Sequence, residues 1–299
     1  MIEVRGLTKR HGTRTAVDGL TFQVAPGRVT AFLGRNGAGK STTMRMLVGL
    51  DRPSAGTARI AGRAYAELAE PMRTVGALLD SGAAHPGRTA RDHLLWLAHS
   101  HRIGAGRVDE VLNTVELSGV ARRRVRGFSL GMRQRLGIAV ALLGDPSVLL
   151  LDEPANGLDP EGIRWLRTVL RSLAEEGRTV LVSSHLMGEV ARTADHLLVV
   201  GQGRLLADTP LAAFVTAQVP RSLRVRTPRP QALRDLLAAE GLPVTLQPDG
   251  ALRVGGAGEE RIGGIAARHG VPLLELTAEE DPLEEAFLRL TASAAGSSR

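Results

Sequence analysis

A glycine-rich segment near the start of the chain lies between an apolar run and a helical pattern. Residues 29–33 predict a short buried strand, and residues 43–48 carry apolar side chains at helical spacing. Glycines let several backbone N–H groups converge, and a helix N-terminus adds the positive end of its dipole. We therefore expect a phosphate-binding loop. Its members are Gly34, Arg35, Asn36, Gly37, Ala38, Gly39, Lys40, Ser41 and Thr42.

The spacing of this loop, G-x-x-x-x-G-K-S, predicts a nucleotide site rather than a plain glycine-rich turn. Lys40 is expected to reach the β- and γ-phosphates, and Ser41 to ligate Mg²⁺. The chain has only two lysines, Lys9 and Lys40, and uses arginine elsewhere. A compact, movable ammonium group is thus the charge that this position requires.

A second feature is a pair of acids at the end of an apolar strand pattern. Residues 148–151 are all apolar and run directly into Asp152 and Glu153. Burying an unpaired charge is costly, so carboxylates at this place indicate a bound cation or a proton-transfer task. We expect Asp152 to hold Mg²⁺, directly or through water, and Glu153 to polarise an attacking water. A surface acid pair is the alternative.

The order of these segments resembles the ATPase subunit of ATP-binding-cassette (ABC) transporters. The resemblance covers residues 2–217 and rests on the phosphate loop, residues 128–135, residues 149–159 and His185. It implies an α/β P-loop domain with a mixed sheet core, an antiparallel β subdomain and a helical insertion. It also implies ATP and Mg²⁺ as ligands, and Lys40, Glu153 and His185 as catalytic residues. His185 resembles the family's switch histidine, which contacts the γ-phosphate.

Residues 128–132 stand where the family has its signature Leu-Ser-Gly-Gly-Gln. Ser129 at a helix N-cap and the Gly131 amide form a further anion site, which one nucleotide on the same chain does not need. In the family, two copies face each other head to tail, and each signature closes over the other's γ-phosphate. Asp159 resembles the loop that communicates across this dimer.

In the signature, Phe128, Leu130 and Met132 differ from the family's residues while Ser129 and Gly131 remain, and three further positions depart from the family's pattern. Asp80 replaces the usual glutamine, so it either takes a metal or water contact or is an ordinary loop acid. His11 replaces the aromatic residue that stacks on adenine, and a simple loop histidine is the other interpretation. Arg35 replaces a common proline and leaves the phosphate-contacting positions intact.

The composition allows two domains in 299 residues and has no cysteine, which excludes disulfides and thiolate chemistry. No apolar run is long enough to span a membrane and no signal-peptide core is found, so we expect a cytoplasmic protein. The net charge of +7 could indicate nucleic acid or an anionic membrane surface, although aromatic residues make up only 3%. We interpret the arginine run at 122–126 as a solvated surface of the helical insertion, or as a surface suited to the phosphates of lipid headgroups.

A break near residues 218–220 predicts domain limits of 1–217 and 218–299. Beyond it we expect strand 222–226, helix 230–240, strands 243–247 and 251–254, helix 258–269 and strand 271–276, in a ferredoxin-like α+β domain. A final helix should begin at Asp281. This part resembles the C-terminal extension of drug- and antibiotic-export ATPases, with a role in dimer contact, regulation or simple stabilisation.

The resemblance as a whole implies an ATP-hydrolysing subunit that energises a separate permease for drug or antibiotic export. Such a subunit is peripheral on the cytoplasmic face of the membrane and meets its permease at residues 80–91. No nucleic-acid partner is expected. Two alternatives remain open: a nucleic-acid- or ribosome-associated ABC ATPase, supported by charge alone, and a non-hydrolysing, ATP-dependent regulatory module, suggested by Asp80.

Overall fold

The computed structural model describes residues 1–80, 82, 84–218, 222–279 and 287. Contacts divide the described residues into two compact units, one that runs to Leu211 and one that starts at Ala212. The domain limits expected at 217/218 stay a prediction, because that boundary adjoins residues outside the described part. Every helix in the described ranges is too short or too polar to span a lipid bilayer.

The strands of the first unit form two sheets. They are Ile2–His11 (β1), Arg14–Val24 (β2), Arg28–Leu33 (β3), Ala55–Ile60 (β4), Val75–Leu78 (β5), Val148–Asp152 (β6), Thr179–Ser184 (β7), His196–Gly201 (β8) and Arg204–Pro210 (β9). Strands β2, β1 and β4 pair in that order as an antiparallel sheet. The larger sheet has the order β5-β6-β7-β3-β8-β9, and its neighbours are parallel except for the antiparallel pair β8 and β9.

Burial explains why the central strands are so apolar. Helices pack against the faces of this sheet, so β3, β6, β7 and β8 are buried almost throughout and read as continuous runs. Leu33 pairs with Ser184, and Asp152 with Ser183, so the carboxyl ends of β3, β6 and β7 lie side by side. The loops that follow these three strands therefore meet at one edge.

The helices of the first unit connect and cover these strands. They are Lys40–Leu47 (α1), Pro71–Thr74 (α2), Ala90–Ser100 (α3), Ala105–Thr114 (α4), Leu130–Leu142 (α5), Pro160–Glu175 (α6) and Met187–Thr193 (α7). Helices α3, α4 and α5 form the expected helical insertion, and their buried faces share one apolar core. Thr89 caps α3 by accepting a hydrogen bond from the Asp92 N–H, as its sequence position indicates.

The apolar run at residues 197–200 predicts that the last strand of the first unit lies there, and this prediction is wrong. The chain turns at 201–203 and returns as β9, which pairs with β8. This strand ends at Pro210 and is only partly buried, because it lies at the edge of the sheet. An edge strand tolerates polar residues and proline, so its sequence lacks the apolar run of the central strands.

The boundary between the units falls at the first residue of helix Leu211–Gln218 (α8), and the second unit continues with the expected order of strands and helices. The elements are Ser222–Arg226 (β10), Pro230–Ala239 (α9), Val244–Leu246 (β11), Leu252–Gly255 (β12), Glu259–Arg268 (α10) and Glu275–Glu279 (β13). The antiparallel sheet order β11-β12-β10-β13 and the apolar core shared with α9 and α10 confirm the ferredoxin-like class.

Two sequence predictions concern the last strand and the final helix of this unit. The last strand was placed at 271–276 but runs over Glu275–Glu279, because Val271 packs into the helix-facing core before the strand begins. The helix expected from Asp281 lies outside the described residues. Of that segment only Phe287 is described, and it is buried.

The contact between β5 and α5 gives a prediction for stability. A Cβ at Gly76 would lie 1.9 Å from the Ala141 carbonyl oxygen, so Gly76→Ala must displace the helix from the strand. We expect the free energy of unfolding to fall by about 1–3 kcal/mol, measured by urea denaturation. The control Gly119→Ala points into open space and should stay within about 0.5 kcal/mol of wild type. Equal stabilities of the two variants would contradict this packing.

Candidate functional site

The phosphate loop occupies the connection between β3 and α1, and its glycines are required by the backbone. Gly37 and Gly39 have φ values of +83° and +103°, in the left-handed region that favours glycine. A Cβ at Gly39 would also lie 2.6 Å from the Ala16 carbonyl oxygen in β2. The Thr43 N–H donates to the Gly39 carbonyl at 2.9 Å, which starts the ladder of α1 directly after the loop.

The loop is supported from outside by the turn between β8 and β9. The Gly203 N–H donates to the Ala38 carbonyl at 3.1 Å, and the Gly203 carbonyl accepts from the Asp18 N–H at 2.8 Å. A Cβ at Gly34 would lie 2.7 Å from the Val200 carbonyl oxygen. The loop is thus held between β2 and the end of β8. No local sequence pattern indicates this contact.

Lys40, Glu153 and His185 lie in a connected row at the carboxyl edge of the large sheet. The Lys40 side chain is only 6% exposed, and its ammonium donates to the Gly34 carbonyl at 2.6 Å. The same nitrogen lies 3.3 Å from Glu153 Oε1, and Glu153 Oε2 lies 2.8 Å from His185 Nδ1. The structure therefore brings together the three residues predicted to be catalytic.

Two residues that sequence reasoning missed hold the acid pair in place. The Ser183 hydroxyl donates to Asp152 Oδ1 and accepts from the Glu153 N–H at 2.9 Å. The Gln134 side-chain amide donates to the Glu153 carbonyl at 3.2 Å. Glu153 has φ +49°, which is uncommon for a residue other than glycine and which these contacts maintain. A polar Ser183 at the end of a buried strand was the available signal.

The residues expected to bind the metal and phosphates differ in their surroundings. Arg35, Asn36, Gly37 and Ser41 are exposed, and Thr42 is half-buried. The Ser41 hydroxyl and the Asp152 carboxylate are hard oxygen donors of the kind Mg²⁺ prefers, so this donor set fits the metal.

Asp80 comes two residues after the end of β5, and β5 is the neighbour of β6 in the sheet. Its Oδ1 accepts a hydrogen bond from the Gly82 N–H at 2.7 Å, the contact of an ordinary loop acid. This contact supports the interpretation of Asp80 as an ordinary loop acid. A metal role for Asp80 stays an untested prediction.

His11 ends β1 in a tight hairpin beside the phosphate loop. It pairs with Arg14 at the start of β2, and both side chains are exposed. The guanidinium of Arg14 approaches to 4.0 Å of the position that a Cβ at Gly37 would occupy. The hairpin tip therefore lies beside the phosphate loop, and the predicted contact of His11 with the adenine base stays a prediction. Sequence reasoning did not single out Arg14, since an arginine in an arginine-rich chain carries little signal.

Ser129 and Gly131 lie at the start of α5, and Gly131 lies close to the loop that follows β6. The Ser129 hydroxyl accepts from the Met132 N–H at 3.2 Å as the helix cap. A Cβ at Gly131 would lie 3.0 Å from the Gly157 carbonyl oxygen. Asp159 caps the next helix, α6, and accepts from the Gly162 N–H at 2.7 Å. This cap was not anticipated, and the predicted role of Asp159 between two copies stays a prediction.

A groove of about 400 Å³ opens between β5 and the helical insertion. Its lining includes Arg45, Leu50, Tyr65, Asp80 and His93, and Leu50 is 60% exposed. His93 is buried, and its Nδ1 has no hydrogen-bond partner among the residues that the structure describes. Burial, reinforced by the nearby charges of Arg88 and His85, lowers the pKa of the His93 imidazole.

Comparison with known proteins identifies the family. The ABC transporter family matches residues 17–156. The bacitracin transport ATP-binding protein BcrA of Bacillus licheniformis is 35% identical over 97% of this chain and 97% of its own length. The chain belongs to the ABC transporter ATP-binding proteins. It is therefore an ATPase that binds ATP, and the resemblance seen in its sequence is confirmed.

Further relatives of this ABC ATPase agree. A Nod factor export ATP-binding protein I of Paraburkholderia xenovorans is 38% identical over 79% of this chain and 80% of its own length. Among solved structures, an ATP-binding subunit of an ABC transporter is similar with a TM-score of 0.66 and 27% identity, over 72% of this chain and 92% of that one. The dimeric bacterial cassette MJ0796 has a TM-score of 0.65 and 25% identity, over 71% and 99%.

These likenesses confirm the fold class of the first unit. Residues 221–284, in the second unit, match a family described only as a domain of unknown function (DUF8746). The roles of individual site residues in this ABC ATPase stay predictions.

The environment of Lys40 predicts the effect of removing its charge. Lys40→Ala should weaken ATP binding about 10- to 100-fold, because a charge-assisted contact to phosphate is lost. Isothermal titration with ATP measures this change. The matched control is Lys9→Ala, the other lysine, whose ammonium donates to the Arg52 carbonyl away from the loop. An affinity of Lys40→Ala equal to that of Lys9→Ala would contradict the assignment.

The lowered pKa of His93 predicts a pH dependence of stability. As the pH is lowered below the ordinary pKa of histidine, the unfolded chain binds a proton at His93 that the folded chain does not yet bind, because the folded pKa is lower. The free energy of unfolding therefore decreases as the pH is lowered through this range. His93→Asn removes the titrating group. From about pH 7 to about pH 5 the free energy of unfolding of wild type should fall more steeply than that of the variant, measured by denaturant titration. Parallel curves would show that His93 does not contribute.

Proposed function

We propose that this ABC ATPase works as a head-to-tail pair of copies that enclose MgATP and energise a separate membrane permease for export of a drug or antibiotic. The contact of Lys40 with Glu153, and of Glu153 with His185, carries the proposal for the chemistry. The proposal that the exported compound is a drug or antibiotic rests on the names of the relatives, which are bacitracin transport, lantibiotic transport and Nod factor export proteins. These names favour a transporter over the nucleic-acid-associated alternative.

Lys40, Glu153 and His185 have different roles in ATP hydrolysis. Lys40 binds the phosphates at the loop, where a developing negative charge needs a fixed cation. Glu153 accepts a proton from the attacking water, and His185 orients the Glu153 carboxylate through the hydrogen bond at 2.8 Å. Ser41 and Asp152 would hold Mg²⁺, which supplies positive charge against the β- and γ-phosphates.

A second copy completes the site. Each chain has one phosphate loop and a separate anion-binding helix start at Ser129 and Gly131. Two copies in head-to-tail arrangement use both features on each nucleotide, so that ATP stabilises the pair and hydrolysis removes that stabilisation. The dimeric structure of the similar cassette supports this arrangement.

The groove beside Asp80 is suited to a permease segment. It combines exposed Leu50 with buried, polar His93 and opens next to the end of β5, so an apolar helix with one hydrogen-bonding residue would fit it. We place the permease here and the ATPase at the cytoplasmic face of the membrane. Movement at Asp80 would then reach the adjacent strand β6, which carries Asp152 and leads into Glu153.

Replacement of the proposed base separates ATP binding from hydrolysis. Glu153→Gln should lower the rate of ATP turnover about 10²- to 10⁴-fold, because the amide cannot accept the proton. It should retain ATP and accumulate a dimer in its presence, measured by light scattering after gel filtration. The control is Glu175→Gln, an exposed acid in α6, which should turn over ATP like wild type. Normal turnover by Glu153→Gln would contradict its role and favour a different base.

A further inference from the structure

A cluster of arginines outside the nucleotide site is assembled by two backbone segments that pair with each other. The Val125 N–H donates to the Arg88 carbonyl at 2.9 Å, and the Arg126 N–H to the Pro86 carbonyl at 3.0 Å. The Arg91 N–H donates to the Ala121 carbonyl at 2.9 Å. This pairing joins the arginines of both segments into one region, which we call the arginine surface. It consists of Arg88, Arg91, Arg122, Arg123, Arg124 and Arg126.

Most of this charge is not neutralised within the part of the chain that the structure describes. Arg122, Arg124 and Arg126 are exposed, and in the ranges that the structure describes no carboxylate lies within ion-pair distance of them. Arg91, by contrast, pairs with Asp109 at 3.1 Å. Like charges held close together repel one another, so the arginine surface gains most from an external anion. The planar guanidinium group suits phosphate in particular.

An exposed tryptophan adjoins the arginine surface. Trp96 in α3 is 52% exposed, and the guanidinium of Arg88 lies 4.4 Å from the centre of its ring. Tryptophan beside arginine is the combination that favours a lipid interface, where the ring enters the headgroup layer and the cation meets phosphate. Nucleic acid is less suited, because Arg88 already covers one face of the ring that a base would need.

We propose that the arginine surface binds the phosphates of anionic phospholipids and that Trp96 enters the headgroup layer. The segment 84–91, which contributes Arg88 and Arg91, comes shortly after Asp80 in the chain. Asp80 lines the groove in which we place the permease. Given the proposed function, this contact holds the ATPase against the membrane beside its permease. The lipid contact itself requires neither ATP nor the permease, so it can fail while the proposed function stands.

The test measures binding of the purified chain to vesicles of phosphatidylcholine with about one third phosphatidylglycerol, and to vesicles of phosphatidylcholine alone. Wild type should sediment with the anionic vesicles only, and added salt should reduce this binding. The triple variant R122Q/R124Q/R126Q should bind at least about tenfold more weakly. The control R52Q/R63Q/R229Q removes the same charge from exposed arginines elsewhere and should bind within about twofold of wild type.

Fluorescence tests the place of Trp96. In a Trp165→Phe background, Trp96 is the single tryptophan, and its emission should shift to the blue with anionic vesicles. Trp96→Ala should weaken binding without changing the melting temperature. Equal loss in the two triple variants would show that net charge alone is responsible and overturn the proposal. Wild type that binds RNA but not the vesicles, with RNA binding lost in R122Q/R124Q/R126Q, would assign the surface to nucleic acid and also overturn it.

Discussion

The side-by-side registration of β3, β7 and β6 is the constraint on which the site depends. It places the phosphate loop, the acid pair and His185 after three neighbouring strand ends. Lys40 is buried there and needs a counter-charge, which Glu153 supplies at 3.3 Å. A shift of one residue between these strands would turn Asp152 away from Ser183 and separate the acid pair from the loop.

The other parts of the first unit act on this edge. Strand β2 and the turn after β8 hold the phosphate loop through Ala16 and Gly203, which explains why the antiparallel sheet belongs to the same unit. Helix α5 reaches the edge through Gln134, while its first residue after the cap packs against Gly157. Helix α5 is thus in direct contact with the acid pair and with the loop that follows it.

The sequence predicted those parts of the structure whose causes are local. Apolar runs at 29–33 and 148–151 indicated the buried strands, and the loop spacing identified Lys40. The contacts of Ser183 and Gln134 join residues far apart along the chain, so no local pattern could indicate them. Strand β9 was missed because an exposed edge needs no apolar run. The order of the second unit was visible in its periodicity, whereas the start of β13 was misplaced by an apolar stretch that belongs to the core instead.

We propose that each nucleotide lies between the phosphate loop of one copy and the Ser129 cap of another. Because the chain contains no cysteine, single cysteines can test this arrangement by oxidation in the presence of ATP. A mixture of Asn36→Cys and Ser129→Cys chains, each in the hydrolysis-deficient Glu153→Gln background, should form disulfide-linked dimers. Neither variant should form them alone. Linked dimers from Ser129→Cys alone, or none in the mixture, would contradict the head-to-tail arrangement.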